Sequence, residues 1–170
     1  LYLYVLNGDG GANVAGHPII FDWASGPCFL EGTKISMADG SEKNIEDIQI
    51  GDFVLGSKGK VKVLETESPS SLDYYVLVLN DGTKLRVTDE HPIFARNADR
   101  EDWSAIAPEK TQFETSDLYQ MDEVMTLNGW VPINDIKYVN KKVQTYNLRV
   151  VEGGTFYADG VLVHNKPPYR

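Results

Sequence analysis

The 170-residue sequence has one cysteine, three histidines and no long apolar run. A single cysteine, Cys28, excludes a framework of internal disulfide bridges. The apolar runs are far shorter than the roughly 18 residues of a membrane-spanning helix, so no membrane partner is predicted. The three histidines lie far apart without an HExxH motif, and no glycine-rich phosphate loop follows a strand. The sequence therefore predicts no metal site and no nucleotide cofactor.

Positive charge is also scarce. The chain has 16 Lys and Arg against 25 Asp and Glu, a net charge of −9. Non-specific binding to nucleic acid requires clustered Lys and Arg, so no nucleic-acid partner is expected. A hydrophobic content of 42% with 11% aromatic residues is typical of a globular chain. The length suits one domain with short flanks and a core of its own.

What the sequence does contain is a series of short β-type runs separated by turn signals. Residues 74–79 and 83–87 flank Asn-Asp-Gly at residues 80–82, the pattern of a hairpin. Residues 143–151, 155–158 and 161–163 form a second series with glycine turns between them. Helical patterns are few, at residues 45–48 and part of 116–123. The sequence therefore predicts an all-β domain.

Composition divides the chain into three parts. Residues 1–27 are turn and linker material around short apolar pieces, which predicts an N-terminal flank. Residues 166–170 contain two prolines that stop regular structure, which predicts a C-terminal flank. The predicted domain covers residues 28–165. Because the chain begins at Leu1 without a methionine, we expect it to be a piece of a longer polypeptide.

The predicted domain also repeats itself faintly. Ile-Glu-Asp-Ile at residues 45–48 is echoed by Ile-Asn-Asp-Ile at residues 133–136, and a Tyr-led strand follows each. Each half then ends in a turn, a strand and a histidine, His91 or His164. Two half-domains related by a pseudo-twofold axis would bring these two ends close together.

Two segments in the first half carry residues suited to nucleophilic and acid–base chemistry. Cys28, where the flank meets the β pattern, is either a small buried hydrophobe or a nucleophile whose thiolate needs a nearby base. Thr88 and His91 stand three residues apart at a predicted strand end. His91 is either a loop histidine before a proline or an acid that protonates a departing amide nitrogen, with the Thr88 hydroxyl bonding the same amide.

The segment His164-Asn165-Lys166 suggests a second reaction. An asparagine side-chain nitrogen can attack its own backbone carbonyl, which forms a succinimide and releases the following residue. Before Lys166 this reaction is slow unless assisted, and His164 is suited to activating the leaving nitrogen. By itself, His164 has the same two interpretations as His91.

Four ordered segments together resemble the Hint superfamily, which comprises inteins, bacterial intein-like domains and hedgehog autoprocessing domains. They are residues 28–33, 44–52, 88–92 (Thr-Asp-Glu-His-Pro) and 160–165 (Gly-Val-Leu-Val-His-Asn). The resemblance implies a flat, horseshoe-like, all-β disc with internal pseudo-twofold symmetry that works without a cofactor. It also implies that the first cysteine and the last asparagine meet at one centre.

For the N-terminal end, the resemblance implies an autocatalytic, single-turnover reaction of the chain on its own polypeptide. Cys28 would attack the carbonyl of Pro27 and convert that peptide bond into a thioester, assisted by Thr88 and His91. The proline ring beside the carbonyl hinders the attack, so we expect a slow first step.

For the C-terminal end, the resemblance implies that Asn165, helped by His164, cyclises and cuts the bond to Lys166. Splicing inteins need Cys, Ser or Thr after the final asparagine, and an ammonium side chain cannot take that role near neutral pH. We therefore expect mainly cleavage, with low-level splicing if the freed amine of Lys166 attacks the thioester. Transfer to a sterol, as in hedgehog domains, is not expected because those domains do not end in an asparagine-driven cut.

Two positions depart from the pattern of many family members. Asn147 stands where an aspartate is common, and Gly154 stands where a histidine is common. Asn147 cannot hold a negative charge, and a glycine has no group that could assist Asn165. The departures leave an alternative open, a catalytically degenerate Hint fold kept as a structural or interaction module. A thiol hydrolase acting on other molecules is a third interpretation, but no substrate motif supports it.

The expected partner is thus the chain's own flanking polypeptide, and the expected state is a monomer. A lone cysteine is compatible with a reducing compartment, which favours a cytoplasmic location. The glycine-rich flank would also suit a phage protein or a secreted bacterial host protein.

Overall fold

The structure is a computed structural model that describes residues 28–111, 113–151 and 154–165. These ranges contain sixteen strands and two short 3-10 helices, at Ile45–Asp47 and Pro108–Lys110. The strands are β1 Phe29–Leu30, β2 Lys34–Ser36, β3 Glu42–Asn44, β4 Phe53–Gly56, β5 Gly59–Glu67, β6 Ser70–Ser71, β7 Tyr74–Leu79, β8 Lys84–Val87, β9 Ile93–Arg96, β10 Glu101–Ala105, β11 Ser116–Asp117, β12 Glu123–Thr126, β13 Gly129–Val139, β14 Val143–Val150, β15 Thr155–Ala158 and β16 Val161–His164. Among the described residues no helix is long and apolar enough to cross a membrane. The all-β prediction is confirmed.

Backbone hydrogen bonds join these strands into one open sheet. Its main path runs β3-β2-β15-β16-β9-β12-β13-β7-β8-β1-β14-β5-β4. All pairs are antiparallel except β10 with β11. An isolated bridge between Met37, just after β2, and Val54 in β4 connects the two ends of the path. The sheet therefore turns back on itself around a shared interior.

The core follows from the alternation of apolar and polar side chains along the strands. In β8, Leu85 and Val87 are buried while Lys84 is exposed. β16 is different, because its apolar residues are buried on both faces of the strand. A strand with this pattern lies in the middle of the fold rather than at its surface. Consequently His164, the last residue of β16, lies at the end of a buried strand.

Both predicted strand series are present. β7 and β8 form an antiparallel hairpin across the Asp81-Gly82 turn, in which Gly82 has φ of +93°. A positive φ is readily adopted only without a Cβ, which explains the glycine at this turn. The later series forms β14, β15 and β16, and the last two pair across Asp159-Gly160.

The predicted helix within residues 116–123 is wrong. Ser116–Asp117 instead forms β11, which pairs with β10. The buried Asp122 carboxylate then accepts a hydrogen bond from the Tyr119 backbone N–H at 3.0 Å, and Met121 has φ of +79°. Such a turn is incompatible with a right-handed helix. The helical pattern at residues 45–48 corresponds to a single 3-10 turn at Ile45–Asp47 and not to an α-helix.

The internal repeat is real, but its register differs from the predicted one. In the first half the Gly51 N–H donates to the Val63 carbonyl at 2.9 Å, and the Val63 N–H donates to the Asp52 carbonyl at 2.8 Å. In the second half Met121, Ile133 and Asp122 make the same two bonds at the same lengths. The counterpart of Ile133 is therefore Val63, and not Ile45. The sequence echo is misleading because residues 45–47 form a 3-10 turn whereas residues 133–136 lie in β13.

Candidate active site

Cys28 lies at the entrance to β1, which runs between β8 and β14. Its backbone N–H donates to Thr88 Oγ1 at 2.9 Å, and its carbonyl accepts the Thr88 N–H at 3.0 Å. The Thr88 hydroxyl also lies 3.3 Å from the same carbonyl, to which it donates. Thr88 thus hydrogen-bonds to both the backbone N–H and the backbone carbonyl of Cys28. The cysteine is almost fully buried, so the site encloses its thiol rather than presenting it to solvent.

His91 is buried against the residue that follows the cysteine. The ring of Phe29 lies 4.1 Å from the His91 ring, centroid to centroid. His91 Nδ1 faces the Pro92 carbonyl at 3.4 Å, and a carbonyl can only accept, so this contact places the proton on Nδ1. Nε2 then carries a lone pair, and it is buried without a hydrogen-bond partner among the described residues.

The environment keeps the His91 ring neutral. Burial lowers the pKa of His91 to about 3, an effect to which the nearby His164 also contributes and which the Pro92 carbonyl partly opposes. A ring in this state has no proton to give from Nε2 at neutral pH. It must first accept a proton before it can protonate a leaving amide nitrogen, which refines the role expected from the sequence.

His164 contacts the backbone of its neighbour. Its Nδ1 lies 2.8 Å from the carbonyl oxygen of Asn165, the carbonyl that the asparagine side chain would attack. The expected contact was with the leaving nitrogen of Lys166, but that residue lies outside the described ranges. The rings of Trp103 and Phe113 flank the imidazole at 5.0 and 4.8 Å, respectively. Burial among these groups lowers the pKa of His164.

One turn, residues 88–92, connects the two ends of the domain. Thr88 holds Cys28, and the His164 N–H donates to the Pro92 carbonyl at 3.1 Å. Between these two contacts, the His91 N–H donates to the Thr88 carbonyl at 3.4 Å. The structure therefore brings together Cys28, Thr88, His91 and the His164-Asn165 pair around this turn, although 137 positions separate the first from the last.

Asn165 itself is held by the strand opposite. Its backbone N–H donates to the Gly154 carbonyl at 2.5 Å, and its side chain is buried. Asn147 lies on another side of the site, in β14. Asn147 follows Tyr146, which pairs with Phe29, the residue after Cys28. The Asn147 Oδ1 accepts the Leu148 N–H at 2.9 Å, so this oxygen is engaged within β14.

Trp103 and Phe113 were not among the predicted site residues. Trp103 lies in the short strand β10, and Phe113 follows the Pro108–Lys110 turn, where no periodicity predicts which face a side chain occupies. A tryptophan in an otherwise polar strand was the only available signal. Pro27 lies outside the described residues, so the carbonyl that Cys28 would attack is not placed. Among the described residues no three His, Cys, Asp or Glu side chains group as metal ligands would.

Comparison with known proteins identifies the fold. Residues 28–99 match the family model described as Hom_end-associated Hint. The bacterial intein-like domain from Clostridium thermocellum is similar with a TM-score of 0.64 and 25% identity, over 81% of this chain and 98% of that one. The gp41-1 intein has a TM-score of 0.66 and 24% identity, over 83% and 100% of the two chains.

Among curated proteins, the Indian hedgehog B protein of Danio rerio is 34% identical over 83 residues. This match covers 42% of the chain, and it spans about a fifth of the length of that relative. The match to the Hint family model covers the segment that contains Cys28, Thr88 and His91.

Proposed function

We propose that this chain is a self-processing domain that cuts its own polypeptide at both ends, because residues 28–99 match a Hint family model and the fold is that of inteins and bacterial intein-like domains. The reactions are an N–S acyl shift at Pro27–Cys28 and cyclisation of Asn165 with cleavage before Lys166. The observation that carries the proposal is the turn at residues 88–92, which contacts Cys28 through Thr88 and His164 through Pro92 and which also holds the buried His91.

At the N-terminal end, the Cys28 sulfur attacks the Pro27 carbonyl carbon while the thiol proton leaves. The unpartnered Nε2 of His91 can accept this proton, because the ring is neutral and the other nitrogen already donates. Because burial lowers the pKa of His91 to about 3, protonating the ring is unfavourable, which agrees with a slow first step. The C–N bond then breaks, and the same nitrogen returns the proton to the Cys28 amine. Thr88 Oγ1, which already accepts the N–H of this bond at 2.9 Å, holds the amide during the transfer.

At the C-terminal end, the Asn165 side-chain nitrogen attacks its own backbone carbonyl carbon and loses a proton. The oxygen of that carbonyl gains negative charge, and His164 Nδ1 lies 2.8 Å from it. With its proton on Nδ1, the imidazole donates to this oxygen and stabilises the charge. The C–N bond to Lys166 then breaks, the amine takes up a proton, and a succinimide remains. The expected contact of His164 with the leaving nitrogen of Lys166 stays a prediction, because Lys166 lies outside the described residues.

Lys166 sets the proportion of the products. It offers no thiol or hydroxyl to receive the thioester, so cleavage at either end dominates and splicing is a minor product. The substrate is the chain's own flanks, residues 1–27 and 166–170, with the domain bounded at 28 and 165. Each molecule reacts once, as a monomer, and the residues that act require no cofactor.

Mass spectrometry of the intact purified chain over time tests the proposal. With dithiothreitol, a fragment ending at Pro27 should appear, and Cys28→Ala should abolish it alone. Without a thiol, the loss of residues 166–170 should appear, and Asn165→Ala should abolish that product alone. An intact chain under all conditions would instead support a degenerate Hint fold, for which the engagement of Asn147 Oδ1 with its own strand is the favouring observation.

A further inference from the structure

We propose that Gly154 is a positioning residue for the C-terminal cut, because its lack of a side chain creates the slot that the Asn165 carboxamide occupies. This inference rests on the proposed self-processing function. Thr155 in β15 pairs with His164 in β16, so Gly154 lies opposite Asn165 at the open end of this hairpin. The Gly154 carbonyl accepts the Asn165 N–H, which fixes the backbone at the point of attack.

The space beside Gly154 is filled by the reacting residue itself. A Cβ placed on Gly154 would lie 2.1 Å from Asn165 Oδ1, 3.3 Å from its Cγ and 3.0 Å from His164 Cε1. No side chain can therefore stand at position 154 while Asn165 keeps this conformation. Oδ1 is the end of a side chain that can rotate, so an added methyl group would turn the carboxamide away rather than unfold the hairpin.

The orientation of this carboxamide governs the reaction. Its attacking nitrogen is bonded to the same Cγ as Oδ1, so displacing one atom displaces the other. The carbonyl under attack is held by the His164 contact at 2.8 Å and cannot follow. A misplacement of reacting groups by about 1 Å can lower a rate by about a hundredfold. From the sequence, the glycine counted only as the loss of a helping histidine; the structure gives it a role in placing the nucleophile.

Gly154→Ala tests the slot, and Gly160→Ala is its matched control. Both glycines have positive φ, +56° and +80°, and both belong to the β15–β16 hairpin, but a Cβ at Gly160 meets nothing within 4 Å. Backbone strain is thus common to both variants, and only the first adds a clash. Gly154→Ala should lower the rate of C-terminal cleavage by about tenfold to a hundredfold. Dithiothreitol-induced cleavage at Pro27 should keep its wild-type rate in both variants.

Equal rates of C-terminal cleavage in Gly154→Ala and Gly160→Ala would overturn the inference. A parallel loss of N-terminal and C-terminal cleavage in Gly154→Ala would also overturn it, because that result indicates a general structural defect. A second measurement does not depend on cleavage. In ¹⁵N-labelled protein, the carboxamide signals of Asn165, assigned by their loss in Asn165→Ala, should shift in Gly154→Ala and stay in place in Gly160→Ala. Unmoved signals refute the slot, whereas a wild-type chain that cuts at neither end refutes the proposed function.

Discussion

Replacing His91 with glutamine should remove a sensitivity to acid that the buried ring confers on this domain. His91 is 1% exposed, and its ring is neutral in the folded state because burial lowers its pKa to about 3. In the unfolded chain the same ring takes up a proton near its ordinary pKa of about 6.5. As the pH falls below that value, the unfolded state binds one proton more than the folded state, so acid favours unfolding.

The size of the effect follows from the two pKa values. The stabilisation is fully present above about pH 6.5, and each unit of pH below that removes about 1.4 kcal/mol until the folded ring titrates near pH 3. The total is about 5 kcal/mol, and the part lost by about pH 5 is about 2 kcal/mol. A glutamine at this position does not titrate. The stability of His91→Gln should therefore lack this contribution to its pH dependence everywhere between about pH 3 and about pH 6.5.

The assay is urea unfolding near pH 7 and near pH 5, in a Cys28→Ala/Asn165→Ala background that keeps the chain intact. Carboxylates titrate equally in the proteins with and without His91→Gln, so the difference between their pH dependences isolates the ring. The protein with His91 should lose about 2 kcal/mol more between the two conditions. Equal losses would refute the reasoning, and so would an NMR titration in which the His91 ring protonates near its ordinary pKa.

Three further results are expected. Thr88→Val leaves the buried Cys28 N–H without its acceptor, so thiol-induced cleavage at Pro27 should slow by about tenfold while C-terminal cleavage keeps its rate, as measured by mass spectrometry. Trp103→Ala admits water to His164, so NMR titration should show a higher pKa for that ring; Trp130→Ala, whose ring contacts Phe94 and the Arg96 guanidinium, should leave it unchanged. Met121→Gly relieves a positive φ of 79° at an exposed side chain, so thermal unfolding should show a gain of about 1 kcal/mol, and Gly51→Met at the equivalent turn should show a loss of similar size.

Local chemistry made several parts of the fold predictable from the sequence. The Asp81-Gly82 hairpin and the strand series from β14 to β16 follow from turn residues and alternation, which act over a few positions. The same local logic failed at residues 116–123, where the buried Asp122 bonds to the backbone and a tertiary pairing with β10 replaces a weak helical preference. It also misplaced the internal repeat, because the matching feature is a backbone hydrogen-bond pattern and not a shared tetrapeptide.

The candidate chemistry was readable in the residue types, since a lone Cys28 and a terminal His164-Asn165 suit few other reactions. Their surroundings were not readable, because burial and contact depend on residues far apart in the chain. The low pKa of His91 comes from its enclosure by Phe29 and by the turn that it occupies. The aromatic rings that flank His164 belong to Trp103 and Phe113. The slot for Asn165 is left by Gly154, just before the neighbouring strand. Side-chain identity sets which reactions are available, whereas three-dimensional packing sets the distances and the dielectric environment on which their rates depend.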